Sequence, residues 1–221
     1  DMSDVARAAA IRWWNVDLVD LHAARDLIRT VMPDRTYHLA SLNVGSRSLE
    51  MVLPILQNNF IPAFNLLLAI AESGGGRIVL AGSNEEPDDR DPVPCSPYAA
   101  AKGAASDYAR MFAALYDTQA VVAKIAMVYG PGERNLKKLV PYVTTAFLRG
   151  EPPRLTSGVR LVDWICVDDV VDGLIACAQA HGAGGRTVDL GSGELCSIGE
   201  IVQRLRALIP GAPEPLFGAV A

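Results

Sequence analysis

Ser96-Pro97-Tyr98-Ala99-Ala100-Ala101-Lys102 sets a tyrosine and a lysine one helical turn apart. Pro97 suits the first position of a helix, and the alanine-rich run behind it favours helix, so Tyr98, Lys102 and Ala105 fall on one face. An ammonium beside a phenol favours the phenolate. It is expected to draw Tyr98 down from a pKa of about 10 toward the range of a working general base, with the Ser83 hydroxyl upstream to hold the same substrate oxygen. The spacing equally suits an ordinary helix start with a half-buried tyrosine and a solvated lysine, so its meaning depends on what surrounds it.

Around this stretch the chain alternates. Residues 21–31 read as a helix, 36–39 as a strand, 59–72 as a helix, 78–80 as a strand, 97–116 as a long helix and 121–127 as a strand. That rhythm predicts an α/β fold: a mostly parallel sheet with right-handed crossovers, covered on both faces and binding ligands at the carboxyl ends of its strands. Gly74-Gly75-Gly76 reads as the end of the helix before the 78–80 strand. The loop 84–95, acidic at 85, 86, 88, 89 and 91, reads as exposed, its charges solvated and its position at the rim of a site. After Tyr129 the pattern loosens into a helix at 139–148, strands at 163–167 and 187–190, and a helix at 198–208.

Six motifs in order carry a resemblance to a known family. They are Tyr37-His38-Leu39-Ala40-Ser41, Asn58-Asn59, Ile78 through Ser83, Ser96 through Lys102, Lys124 through Gly132 with its Tyr129-Gly130-Pro131 turn, and Asp163 through Val170. Together they resemble the extended short-chain dehydrogenase/reductases, in particular the NAD-dependent sugar epimerase/dehydratase branch, over nearly the whole chain. The resemblance implies a Rossmann-like doubly wound parallel sheet with a smaller C-terminal substrate region. Residues 1–128 would form a partial dinucleotide-binding domain, and 129–221 a substrate region whose segment 163–190 returns to the main domain. In that family Tyr98 would be the acid/base, Ser83 the orienting hydroxyl, and Lys102 the neighbour of both tyrosine and nicotinamide ribose. Asp17 would contact the adenine end, Ala40 and Ser41 would line the cofactor groove, and Asn58-Asn59 would open the following helix. The cofactor implied is NAD, with NADP possible.

Two departures bear on substrate. Met127 stands where sugar-nucleotide enzymes of the family carry an asparagine, and a thioether cannot replace an amide donor. Val162 stands where they carry an arginine, with Arg160 two residues earlier to reach a diphosphate in its place. Asn84-Glu85 follows Ser83 with one carboxylate where dehydratases often have two, which favours epimerisation of a nucleotide-linked sugar over elimination. Asn84, Met127 and Arg160 are the expected substrate contacts. The alternatives are an NADP-dependent reductase of a non-nucleotide carbonyl, which Met127 favours, and a non-catalytic binding or assembly relative. No glycine cluster fits the pyrophosphate turn that opens a dinucleotide-binding unit, so that first βαβ unit and some C-terminal substrate structure are expected to lie outside this sequence.

The composition agrees. The 221 residues are 50% hydrophobic with a net charge of -5, and lysine and arginine are dispersed, without the basic stripe that nucleic acid requires. The longest apolar run, residues 60–70, holds Pro62 and Asn65 and is too short for a bilayer. Cys95, Cys166, Cys177 and Cys196 lack metal or redox spacing and read as reduced thiols of a cytoplasmic protein. The family pairs the two helices around 59–72 and 97–116 across a subunit interface, so a homodimer is expected.

Overall fold

The computed structural model describes residues 11–220, so 1–10 and 221, at the outer edges of the two expected regions, lie outside it. Its strands are β1 (Arg35–His38), β2 (Arg77–Ser83), β3 (Gln119–Ile125), β4 (Met127–Tyr129), β5 (Leu161–Cys166), β6 (Thr187–Leu190) and β7 (Leu195–Ser197). β1, β2, β3 and β6 lie side by side in that order, all parallel. Because side chains alternate across a strand, Ile78 and Leu80 enter one core while Val79 enters the other, and all three are buried. Both faces are therefore covered, as the continuous apolar runs require.

One face is packed by α1 (Leu21–Val31), α3 (Ile61–Ser73) and α4 (Pro97–Tyr116), through Ile28, Leu66, Leu67, Ile70, Ala105, Ala109 and Phe112. Arg25 of α1 makes a bidentate pair with Glu72 of α3 at 2.7 and 2.6 Å. The other face receives α6 (Val167–Gln179) through Val170, Leu174 and Cys177. A smaller sheet orders β4, β5 and β7, with β4 parallel and β7 antiparallel to β5. Beside it α5 (Leu139–Leu148) and α7 (Ile198–Ala207) share a separate core of Val143, Phe147, Leu155 and Val202.

Two expected elements differ in a way that matters for the site. The helix expected from residue 59 begins earlier, as a short 3₁₀ turn (Leu49–Met51) leading into α2 (Val52–Asn59), and breaks at Phe60. Pro62 in the first turn of α3 has no N–H to give and would crowd the carbonyl four residues back, so the chain restarts there. Asn59 consequently closes one helix instead of opening the next. The strand expected at 121–127 is two strands: the Ala126 amide bonds the Leu190 carbonyl at 2.9 Å in the main sheet, and Met127 then pairs with Trp164 in the smaller one.

The helical run 49–73 is 25 residues long and apolar enough to cross a bilayer, longer than the 60–70 segment suggested. Half of its most apolar window is buried, and Leu66, Leu67 and Ile70 lie in the core against the sheet.

Candidate active site

β2 ends on Ser83, which is buried at the carboxyl edge of the sheet beside Ile125 of β3. Two bonds fix it there. Its amide donates to Glu86 Oε1 at 2.8 Å, and its Oγ accepts from the Glu85 amide at 3.1 Å. With that lone pair engaged, the hydroxyl hydrogen is left to donate into the cleft.

Ser96 caps α4 by accepting the Ala99 amide at 3.1 Å, with Pro97 in the first turn. The cap sets Tyr98 at the mouth of the cleft and Lys102 one turn deeper. Lys102 is buried, donates to the Ala81 carbonyl at 2.7 Å, and lies 5.8 Å from the centroid of the Tyr98 ring. This corrects the expected pKa logic. Burial raises the Tyr98 phenol above its usual range; the Ser83 and Ser41 hydroxyls oppose that, while Glu85 and Glu86 add to it. The ammonium donates to a backbone carbonyl and lies over the face of the ring, and burial lowers its own pKa against the pull of Glu86.

A cleft of about 840 Å³ joins these residues to the smaller sheet. Of the sequence-derived candidates, Ser41, Ser83, Asn84, Tyr98, Lys102, Met127 and Arg160 all line it. Ala40 is not among the lining residues, although Leu39, Ser41 and Asn43 on either side of it are. Asp17 is also outside the lining. It is exposed, accepts the Val19 amide at 2.9 Å, and sits in a segment, 11–17, without a strand.

Several residues at the site receive no role there from the motif reading. Asn59 clamps the loop after β1: its Oδ1 accepts from the Leu42 amide at 2.6 Å and Ser41 Oγ at 3.2 Å, and its Nδ2 donates to the Leu42 carbonyl at 3.1 Å. The signal was the Asn58-Asn59 pair, but its role required knowing where the helix ends. Glu86 is buried, contrary to the solvated loop expected for 84–95, although Asn84 and Glu85 do line the cleft. His38 is buried with Nε2 unpartnered, and the indole N–H of Trp164, a cleft-lining residue, is likewise buried and unpartnered. Glu133 and Lys138 form an ion pair on the opposite wall.

The inner end of the cleft has the chemistry a nicotinamide riboside needs. Leu39, Ala81, Ile125 and Ala126 offer an apolar wall, and Ser41, Tyr98 and Lys102 offer donors. Lys102 spends one of its three N–H bonds on Ala81, leaving two for ribose hydroxyls. A tyrosine, a lysine and a serine gathered at the carboxyl edge of a doubly wound sheet define a nicotinamide-dependent enzyme. The sequence pattern of the NAD dependent epimerase/dehydratase family matches residues 2–191, and the chain belongs to that family, with NAD as its cofactor.

Among its relatives, the UDP-glucuronate 4-epimerase of Thermodesulfobacterium geofontis is 23% identical over 94% of this chain and 67% of its own length. The dTDP-glucose 4,6-dehydratase of Neisseria gonorrhoeae is 24% identical over 98% of this chain and 68% of its own length. The fold is similar to that of the UDP-glucose 4-epimerase of Thermotoga maritima, solved with UDP-glucose, at a TM-score of 0.82 and 22% identity, covering 92% of this chain and 70% of that one.

Proposed function

We propose that this protein is an epimerase of a nucleotide-linked sugar, working by transient oxidation of a ring hydroxyl. The observation that carries the reading is one cleft lined by Ser83, Tyr98 and Lys102 together with Arg160. NAD, when bound, supplies the hydride acceptor and donor. Tyr98 takes the hydroxyl proton in the oxidative half and returns it in the reductive half, so no proton is gained or lost over a cycle. Ser83 donates to the same oxygen, and Lys102 holds the ribose. Arg160 offers a guanidinium to the diphosphate. Asn84-Glu85 after Ser83 supplies one carboxylate where dehydratases often carry a pair, which ranks a dehydratase second to an epimerase although both activities occur among the relatives.

Met127 in the lining favours a second reading, an NADP-dependent reductase of an apolar carbonyl. The first reading is supported by the relatives, and the apolar outer faces of α2 and α4 support a homodimer.

The test is Tyr98→Phe, assayed by following UDP-glucose, UDP-glucuronate and dTDP-glucose to their epimers. Loss of the phenol oxygen is expected to lower kcat by roughly 10²- to 10⁴-fold with the fold retained. Wild-type turnover in the Phe variant would remove Tyr98 from the chemistry.

A further inference from the structure

A buried carboxylate directly beneath the catalytic serine is not used by the mechanism above. Glu86 has a side chain only 2% exposed. Such a group is costly to bury unless it is paired and hydrogen-bonded. Glu86 is both: Oε1 accepts from the Ser83 amide at 2.8 Å, and Oε2 lies 3.6 Å from Lys124 Nζ on β3. The surroundings leave it no second position. A Cβ on Gly82 would come within 2.6 Å of Oε1, and Pro87, the next residue, packs so closely on Gly103 of α4 that a Cβ there would meet its ring at 3.0 Å. The carboxylate is thus wedged between the end of β2, β3 and the helix that carries Tyr98 and Lys102.

We propose that Glu86 is a positioning residue for the reaction: tethered by Lys124, it fixes the backbone at Ser83 and places its carboxylate beneath the Ser83, Tyr98 and Lys102 cluster. This rests on the acid/base reading given above. The consequence for Ser83 is geometric. The turn that Glu86 closes also brings the Glu85 amide onto Ser83 Oγ, so one carboxylate determines where the hydroxyl sits and which way its hydrogen can point.

The consequence for Tyr98 and Lys102 is electrostatic. Glu86 disfavours the phenolate and favours the ammonium. The other charged or titratable groups acting here are Lys124 from β3, Glu85 and Asp88 from the loop, and His38 from β1, which burial keeps neutral at ordinary pH. A carboxylate in contact with Ser83 therefore opposes the base form of the tyrosine while holding the lysine charged. That suits a cycle in which Tyr98 must give its proton back as readily as it takes it.

The experiment uses the full chain and two variants. Glu86→Gln keeps an oxygen for the Ser83 amide but removes the charge. Glu86→Leu/Lys124→Met removes both members of the pair and leaves no orphaned ion, a replacement that buried pairs commonly tolerate. The Tyr98 phenol is titrated by NMR with ¹³Cζ-labelled tyrosine, using Tyr98→Phe to assign the signal. In Glu86→Gln, Tyr98 is expected to titrate at lower pH than in the wild type, with the alkaline features of the pH–rate profile moving the same way. In the double variant, exchange of the Ser83 amide is expected to quicken and kcat to fall roughly 10- to 100-fold with KM little changed, as for a misplaced catalytic group. A Tyr98 titration unmoved in Glu86→Gln, or a folded double variant with wild-type kcat, overturns the proposal. Failure of the wild type to turn over any nucleotide sugar would instead count against the proposed substrate, because the titration and the exchange read Glu86 without turnover.

Discussion

His38 shows how far a single side chain can depart from its motif. In the sequence it stands in the Tyr37-His38-Leu39-Ala40-Ser41 segment beside the cofactor groove. In the structure it is buried at the end of β1 with Nε2 unpartnered, and burial, helped by the nearby Lys102 charge, lowers its pKa from 6.5 to about 4. Below pH 6.5 the unfolded chain binds a proton that the folded chain refuses, so stability falls as pH drops from 6.5 toward 4 and is unaffected by this group above 6.5. The loss is on the order of 3 kcal/mol at the acid end. His38→Asn, which cannot titrate, should flatten this part of the pH–stability curve. Urea unfolding at pH 4.5 and 7.5 checks it, and a curve as steep as the wild type's would assign the acid sensitivity to other groups. The motif reading placed His38 correctly along the chain. It could not show that the ring would be enclosed and uncharged, because that depends on Asn59, Lys102 and Ser106 arriving from two helices to close a small space around it.

At the scale of elements, the site depends on one strand changing sheets. β3 ends in the main sheet and β4 begins in the smaller one, and Gly130 turns the chain immediately afterwards into the cleft wall. Its φ is +147°, and a Cβ there would lie 2.6 Å from Val167 Cγ1 at the start of α6. Both constraints act on any larger residue, so Gly130→Ala should destabilise the fold by about 1 to 3 kcal/mol and loosen the loop that carries Glu133. Thermal unfolding measures the first effect and KM the second. A variant as stable as the wild type would show that the turn has slack.

The sheet change also marks where the sequence stops being legible. Helices 21–31, 97–116 and 139–148 are readable to the residue, because each has a cap, a proline or a glycine, or a polar boundary marking its ends. The join at Ala126 has no such local signature: it depends on a carbonyl of β6, more than sixty residues along the chain. The break at Phe60 has one in Pro62, but the helical run before it, from Leu49 to Asn59, has no capping side chain to mark its start. The candidate site divides in the same way. Ser83, Tyr98 and Lys102 stand at strand and helix ends with readable spacing, whereas which residues of 39–43 line the cleft depends on the path of the chain beyond β1, and Glu86 was hidden in a loop whose charges look solvated.

For the whole molecule the remaining question is what the outer faces of α2 and α4 do. Inward, the two-helix layer is well built: the Tyr108 ring meets Phe60 at 5.2 Å and Phe64 at 5.5 Å in edge-to-face contacts, which lock α4 to the start of α3. Outward, it is apolar without cover. Leu49 is 86% exposed, Leu53 58% and Leu115 66%, with Val52, Leu56 and Tyr116 also exposed. Scattered apolar side chains need no explanation, but Leu49, Val52, Leu53 and Leu56 recur at helical spacing along α2 and the turn before it, and such an exposed apolar row suggests a protein partner. A second copy packed on this face through a two-fold axis would bring two helices from each subunit together, and a stable dimer needs about 800 Å² from each. Such an interface lies behind α4, the helix that presents Tyr98 and Lys102, so it would stiffen the catalytic helix from the side opposite the cleft. Sedimentation equilibrium at micromolar concentration is expected to give twice the 23.6 kDa of one chain. Leu49→Glu/Leu53→Glu should return it to a single chain with the secondary structure intact, because both side chains lie outside the core. A wild type that sediments as one chain would overturn the homodimer, and a double variant that remains paired would move the subunit interface off this face.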